Sequence, residues 1–511
     1  MKSAFAVVAL IFFLLLQEAP TLSADKENKF QVSVYADVNT SPQSIPYERI
    51  DGLVLAFINP VDDCRGFSET EFPGIQEIVS RARAQEANGR KITVTFAIGG
   101  GGGNDTDITN KRLESIASRE ECRKQFAGQV AEILSKNDLD GVDIDWEFPK
   151  SSSLGNYTLF IKALRESIGT KILSIAIYDD SGKEDASGRL TKNVFPFVDY
   201  YMVMAYLGPR NDAIKGWINP PWNLPKSKLR LGLALFGDPD DGGTNIGYNR
   251  FLGSVPPAQV NPCGDQVGIY KFNGLRTTRE LTRFAMTEKL GGITAWELEQ
   301  DRTDSISLLN AASETSRMWE NFREWQPGTT YPVGTVIRNR GNLWLVKSSA
   351  PSPQAEPGLA NSAFKQIEVM KEWSALNYYC GGDEVWFGGS VYRAVQDRML
   401  GMTNLSPTGD LSFWKKLYTA SLYDKTKPYK NGERVFFNGS VYAANKQTQG
   451  QSPAKALASW SPFVDTQAFD LGKSYSRGAM VRYMGNKYIS TKSSRGLNPV
   501  VATDVWEPLR K

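Results

Sequence analysis

The stretch Leu139-Asp140-Gly141-Val142-Asp143-Ile144-Asp145-Trp146-Glu147-Phe148-Pro149-Lys150 has the alternation of a strand with acid on one side of it. Asp143, Asp145 and Glu147 share one face, and Val142, Ile144, Trp146 and Phe148 share the other. Carboxylates disfavour strands, and three on one face stand roughly 6.5–7 Å apart and repel. A solvated strand edge would tolerate them, but this strand belongs to a core. In a partly dry cavity at least one of the three must hold a proton near neutral pH. A general acid needs that state. Regular alternation on one strand wraps poorly around calcium or magnesium, so no metal is expected.

Outward from this strand, short apolar runs alternate with amphipathic segments from Phe30 to about Arg317. The runs begin at Phe30, Asp51, Lys91, Asp140, Lys171, Val198, Leu229 and Gly291. Helical patterns such as "GIQEIVSRARAQEA" and "CRKQFAGQVAEILSKN" lie between them. Eight β units with intervening helices predict an α/β fold, a (β/α)8 TIM barrel. An open doubly wound sheet is the rival. "IGGGGGN" from Ile98 lacks the Lys-Ser/Thr of a P-loop and the spacing of a dinucleotide fingerprint. In a barrel, functional residues sit at the C-terminal ends of strands, where Glu147 falls. The segment between Asp238 and Gly291 must supply a helix and leaves too little chain for a large wall, so a shallow, open groove is expected.

After about Asn321 the helical period fades. A frame Tyr-x-x-Gly-x-x-[Val/Ile]-x-x-x-Gly-x-x-[Trp/Tyr] begins at Tyr331, Tyr379, Tyr429 and Tyr475, and the copies close on Phe364, Trp414, Trp460 and Trp506. This predicts four small β-rich repeat modules whose aromatics supply much of their burial. The expected units are 1–24, a signal peptide; 25–320, the barrel; and 321–373, 374–421, 422–466 and 467–511, the modules. Phe387, Phe437 and Tyr483 share one frame position, where they are either core residues or exposed stacking surfaces.

Lys2, the apolar run Ala4–Leu16 and small residues up to Ala24 have the pattern of a secretory signal. The expected product is extracellular, with no membrane partner after cleavage. The formal charge of +3 gives no reason to expect a nucleic-acid partner. Cys64, Cys122, Cys263 and Cys380 could form disulfides in any of three pairings. Sequons begin at Asn39, Asn104, Asn156, Asn404 and Asn438. There is no histidine, which excludes Ser-His-Asp triads and His-ligated zinc and leaves proton transfer to carboxyls or tyrosines.

Asp140-Gly-Val-Asp143-Ile-Asp145-Trp-Glu147 resembles the signature of the family 18 glycoside hydrolases, the chitinases and their relatives. Ala97-Ile98-Gly99-Gly100, Met204-Ala205-Tyr206 and Trp296 match further motifs in order. The resemblance implies a retaining, substrate-assisted hydrolysis of N-acetylglucosamine polymers, an exception to the two-carboxylate scheme, with no cofactor. It implies Glu147 as acid and base and Asp145 as the residue orienting the 2-acetamido group. Asp143 would tune the trio, and Tyr206 would donate to the acetamido oxygen. Trp296 would form the floor, and Met204, Gly99 and Gly100 would lie along the substrate. Two positions depart from the family: Ala97 stands for serine, and Leu207 for aspartate. The same residues fit a GlcNAc-binding lectin or toxin with little turnover, or an endo-β-N-acetylglucosaminidase of N-glycans. The repeats resemble chitin-binding modules of families 5 and 12. The paired exposed aromatics of those families are missing, with Lys446-Gln447 and Lys492-Ser493 in their place. Phe387, Phe437 and Tyr483 are the possible substitutes.

Overall fold

The acidic strand is the fourth of eight parallel strands that close on themselves, each beside its neighbours in chain order and the last beside the first. The structure is a computed structural model and describes residues 29–64, 66–101, 103–178, 190–207, 210–348, 356–358, 363–402 and 405–509. The expected signal peptide and Asn404 lie outside these residues, as does the side chain of Asn104. The strands are β1 Gln31–Asp37, β2 Gly52–Ala56, β3 Thr93–Gly99, β4 Gly141–Asp145, β5 Ile172–Ile177, β6 Tyr200–Val203, β7 Leu229–Ala234 and β8 Gly292–Trp296. All eight expected strands form the barrel. Their runs of apolar residues suit strands covered on both faces.

Helices α1 Pro73–Ala84, α2 Gly103–Ser118, α3 Glu120–Lys136, α4 Leu154–Ile168, α5 Arg210–Ile218, α6 Leu275–Thr287 and α7 Leu308–Glu320 surround it. Among the described residues, the links after β1 and β5 carry short 3-10 turns instead of α-helices. On β4 the apolar face packs outward: Trp146 meets Tyr157 and Phe160 of α4 edge-on at 5.6 and 6.0 Å. The segment after β7 holds more than the expected helix. A small antiparallel sheet of Phe236–Pro239, Ile246–Gly247, Gln266–Val267 and Tyr270–Lys271 stands there, built on Tyr248, Phe251 and Phe272.

The four repeats are small β-sheets. In every copy the frame tyrosine's hydroxyl accepts a backbone N–H from five residues earlier at 2.7 Å: Gln326 to Tyr331, Ser374 to Tyr379, Asp424 to Tyr429 and Asp470 to Tyr475. The copies also lock together. Trp386 of the second stacks on Phe436 of the third at 4.7 Å, and Ala468 of the fourth donates to Gln366 of the first at 2.9 Å. The disulfides pair Cys64 with Cys122 inside the barrel unit and Cys263 with Cys380 between the barrel and the second repeat. Tyr488 donates to Glu280 of α6 at 2.8 Å, and Lys371 pairs with Glu314 of α7 at 2.8 Å.

Candidate active site

Asp143 and Asp145 point into the barrel lumen and are buried, and Glu147 is half-buried at its mouth. Asp143 is held from two sides. The Tyr35 hydroxyl of β1 donates to Oδ2 at 2.8 Å, and the Ser174 hydroxyl of β5 donates to Oδ1 at 2.5 Å. Ala97 is the register partner of Asp143 on the β3 side, and Ser174 is its partner on the β5 side. The hydroxyl missing at Ala97 thus has a counterpart one strand away on the opposite flank.

Burial pushes all three carboxyls above their ordinary range. Asp145 moves furthest of the three, first because of burial and then because Glu147 and Asp143 face it. Asp145 and Glu147 interact directly, so the two carboxyls titrate as a pair. Asp145 Oδ1 is buried without a partner. Tyr206, just past β6, is held protonated by burial and by Asp145, Glu147, Asp143 and Glu297, and so keeps a proton to donate. Trp296 closes β8, with its ring 5.1 Å from Tyr35 and 5.6 Å from Phe57. Met204 lies half-buried beside the same mouth, its N–H donating to Ile177 at 2.8 Å.

The glycine run after β3 is demanded by close approach. A Cβ on Gly99 (φ +122°) would stand 1.9 Å from the Asp145 carbonyl, and one on Gly100 (φ +95°) would stand 2.5 Å from the Phe57 ring. A Cβ on Gly101 would meet Glu147 Oε2 at 2.5 Å. Asn59 exchanges two hydrogen bonds with Gly99, at 2.7 and 2.9 Å, and Asn110 donates to the Glu147 carbonyl at 2.9 Å.

Sequence reasoning missed Tyr35, Ser174, Gly101, Asn59 and Asn110. A signal existed for the first. Gln31, Ser33, Tyr35 and Asp37 alternate with apolar residues along β1, as the acids do along β4.

Tyr483 requires a correction. It is 6% exposed, its ring lies against Phe469 and Gly341, and its hydroxyl accepts from Asn498 at 2.8 Å. Burial between the first and fourth repeats leaves it no face for a sugar. Phe387 and Phe437 stay half-buried, meeting Trp373 and Tyr423 edge-on at 5.1 and 5.4 Å. These partners reveal an aromatic six residues before each frame tyrosine, at Trp325, Trp373, Tyr423 and Phe469. Aligning the copies one turn further back would have found it.

Two interacting carboxyls, one in the lumen and one at the mouth of a (β/α)8 barrel, are the equipment of a glycoside hydrolase. Comparison with known proteins gives the family: the model of Glycosyl hydrolases family 18 matches residues 31–301, and the chain belongs to that family. It is 25% identical over 332 residues to a class V chitinase of Medicago truncatula, across 52% of this chain and 84% of that one. It is 22% identical over 349 residues to endochitinase 1 of Metarhizium anisopliae, across 54% of this chain and 81% of that one. Among solved structures, the GH18 chitinase ChiB from the chitin utilization locus of Flavobacterium johnsoniae matches at 21% identity. Its TM-score is 0.46, across 56% of this chain and 94% of that one.

Proposed function

We propose that this chain is a secreted chitinase that cuts β-1,4-linked N-acetylglucosamine polymers internally, with retention and with the substrate's acetamido group as nucleophile. The observation that carries the reading is Asp145 beside Glu147: burial pushes both carboxyls up, and Asp145 Oδ1 is buried without a hydrogen-bond partner. A buried acceptor without a donor calls for one, and an acetamido N–H supplies it. Glu147 gives its proton to the glycosidic oxygen. The acetamido oxygen closes on the anomeric carbon to form an oxazolinium ion, with Tyr206 donating to that oxygen and Asp145 balancing the charge. Glu147 then takes a proton from water, which opens the ring with net retention. Trp296 gives the sugar an apolar floor. In this reading 25–320 is the hydrolase unit. The units 321–373, 374–421, 422–466 and 467–511 are the repeats, with Phe387 and Phe437 the remaining candidates for stacking chitin.

The test is to follow β-linked chito-oligomers by NMR, with deacetylated chitosan and an N-glycoprotein alongside. The β anomer as first product, a spread of early product lengths and no cleavage of chitosan are expected. The α anomer, or equal rates on chitosan, overturns the mechanism. Preferred cleavage of the glycoprotein makes the chain an endoglycosidase, and binding without turnover makes it a lectin.

A further inference from the structure

β7 carries one charge in an otherwise apolar strand, at Arg230, and the reaction as described does not use it. Arg230 is 7% exposed. Its guanidinium donates to Ser33 at 3.0 Å and to Gln31, both on β1, and lies 3.6 Å from the centroid of the Tyr200 ring on β6. None of these partners is charged. A guanidinium buried among neutral groups is costly unless a counter-charge acts on it. In an interior of low dielectric that counter-charge can act from beyond contact distance.

The lumen supplies one. Tyr200 is the register partner of Ser174, and Ser174 holds Asp143, so guanidinium, ring, hydroxyl and carboxyl follow one another through β7, β6, β5 and β4. The groups acting on Asp143 are Tyr35 from β1, apolar Ala97 from β3, Asp145 on its own strand, Ser174 from β5, Tyr206 beyond β6, Tyr157 from α4 and Arg230 from β7. Among the described residues acting on Asp143, Arg230 is the cation.

We propose that Arg230 is a positioning residue for the acidic trio: it is the buried counter-charge that, from behind Tyr200 and Ser174, balances the carboxylate charge centred on Asp143. The inference deepens the chitinase reading and rests on it for its consequence in catalysis.

The test compares Arg230→Met, which keeps bulk and loses charge, with Arg230→Lys, which keeps charge. Burial raises Asp143, and the hydrogen bonds from Ser174 and Tyr35 and then the charge of Arg230 oppose that rise. Losing the cation therefore raises Asp143 further, and the acid limb of kcat/KM must move to higher pH. On that limb Arg230→Met should lose about tenfold, the size expected of one charge acting through a protein interior, while Arg230→Lys keeps the limb of the parent. A second measurement needs no turnover. A carboxyl whose folded pKa exceeds its unfolded one loses the fold stability as pH rises between the two values, and Arg230→Met widens that gap. The melting-temperature deficit of Arg230→Met should therefore grow from about pH 4 to pH 7. It should become independent of pH when both proteins also carry Asp143→Asn. A deficit that is flat with pH, or an acid limb that moves equally in Arg230→Lys, overturns the proposal. If the parent cleaves no chito-oligomer, the enzymatic reading falls while the melting series still decides the role of Arg230.

Discussion

In the barrel lumen, Asp143, Asp145 and Glu147 face one another, and the cation acting on them touches none of them. Where the repeats meet, Arg393, Arg482 and Lys487 face Glu368, Glu384 and Asp465. There the contacts are 2.7 Å for Arg393–Glu384, 2.6 Å for Arg482–Glu368, 2.7 Å for Lys487–Glu384 and 2.5 Å for Lys487–Asp465. Both regions bury several charges. The first is unbalanced, with three acids and no cation in contact with them; the second is balanced, with its charges in contact. Unbalanced buried charge shifts protons and suits chemistry, whereas balanced pairs hold a junction together and tolerate no missing partner. A cavity of about 520 Å³ beside the second cluster is lined by Arg279, Glu314, Met318, Tyr378, Glu384 and Arg482. Its charges are in contact, although burial pushes Glu368 on its wall up to about 7; the carboxyls that no cation touches are those of the lumen.

The sharpest way to break this contrast is to remove one carboxylate from each region. Glu147→Gln should lower turnover of chito-oligomers by about 10²–10⁴-fold, with the melting temperature near that of the parent. Glu384→Gln should do the reverse. It takes a shared partner from Arg393, Arg482 and Lys487, which should cost about 3–5 kcal/mol and leave turnover of soluble oligomers intact. Parallel kinetics and thermal melts check both. Loss of activity in Glu384→Gln while folded, or full activity in Glu147→Gln, would erase the distinction.

The two regions were also unequally legible in the sequence. The barrel strands could be read because each is an apolar run between helical segments, and β4 because its acids alternate where a core strand should not. Ser174 was hidden because one hydroxyl on a strand looks like any other; only the register of β4 and β5 shows which carboxylate it serves. The repeats could be counted from their Tyr, Gly and Trp spacing. Their interlocking could not, because the contacts of Trp386 with Phe436 and of Tyr483 with Gly341 join positions far apart in the chain. The role of Tyr483 failed for that reason: within one module its position is half-open, as Phe387 and Phe437 show, and only the neighbouring module buries it.

A smaller effect tests whether the repeats act as part of the barrel. Cys263–Cys380 ties them across 117 residues of chain. Replacing both cysteines by serine should cost about 2–4 kcal/mol, seen as earlier unfolding of the repeats. Glu280, Glu314 and their partners still join the two parts, so cleavage of soluble oligomers should persist. Coincident loss of activity and of the repeats' structure would mean that the barrel mouth depends on this clamp, through the small sheet that precedes α6.

The smallest expected effect separates stacking from packing within the repeats. Tyr483, Phe387 and Phe437 share a frame position and an edge-on contact with the aromatic that precedes the frame. They differ in exposure. Tyr483→Ala empties a buried site between two modules and should cost about 3–5 kcal/mol, as large aromatic truncations do. Phe387→Ala and Phe437→Ala remove half-buried rings whose loss water can partly fill, so each should cost about 1–2 kcal/mol, much of it the edge-on ring contact. If these two rings also offer a face to chitin, the double variant should bind chitin beads several-fold more weakly at a temperature where it remains folded, and its rate on soluble oligomers should not change. Bead binding and thermal melts on the whole chain separate the cases. Unchanged binding by the folded double variant would assign both phenylalanines to packing alone. The balanced, interlocked repeats would then be a structural brace for the barrel and not its anchor.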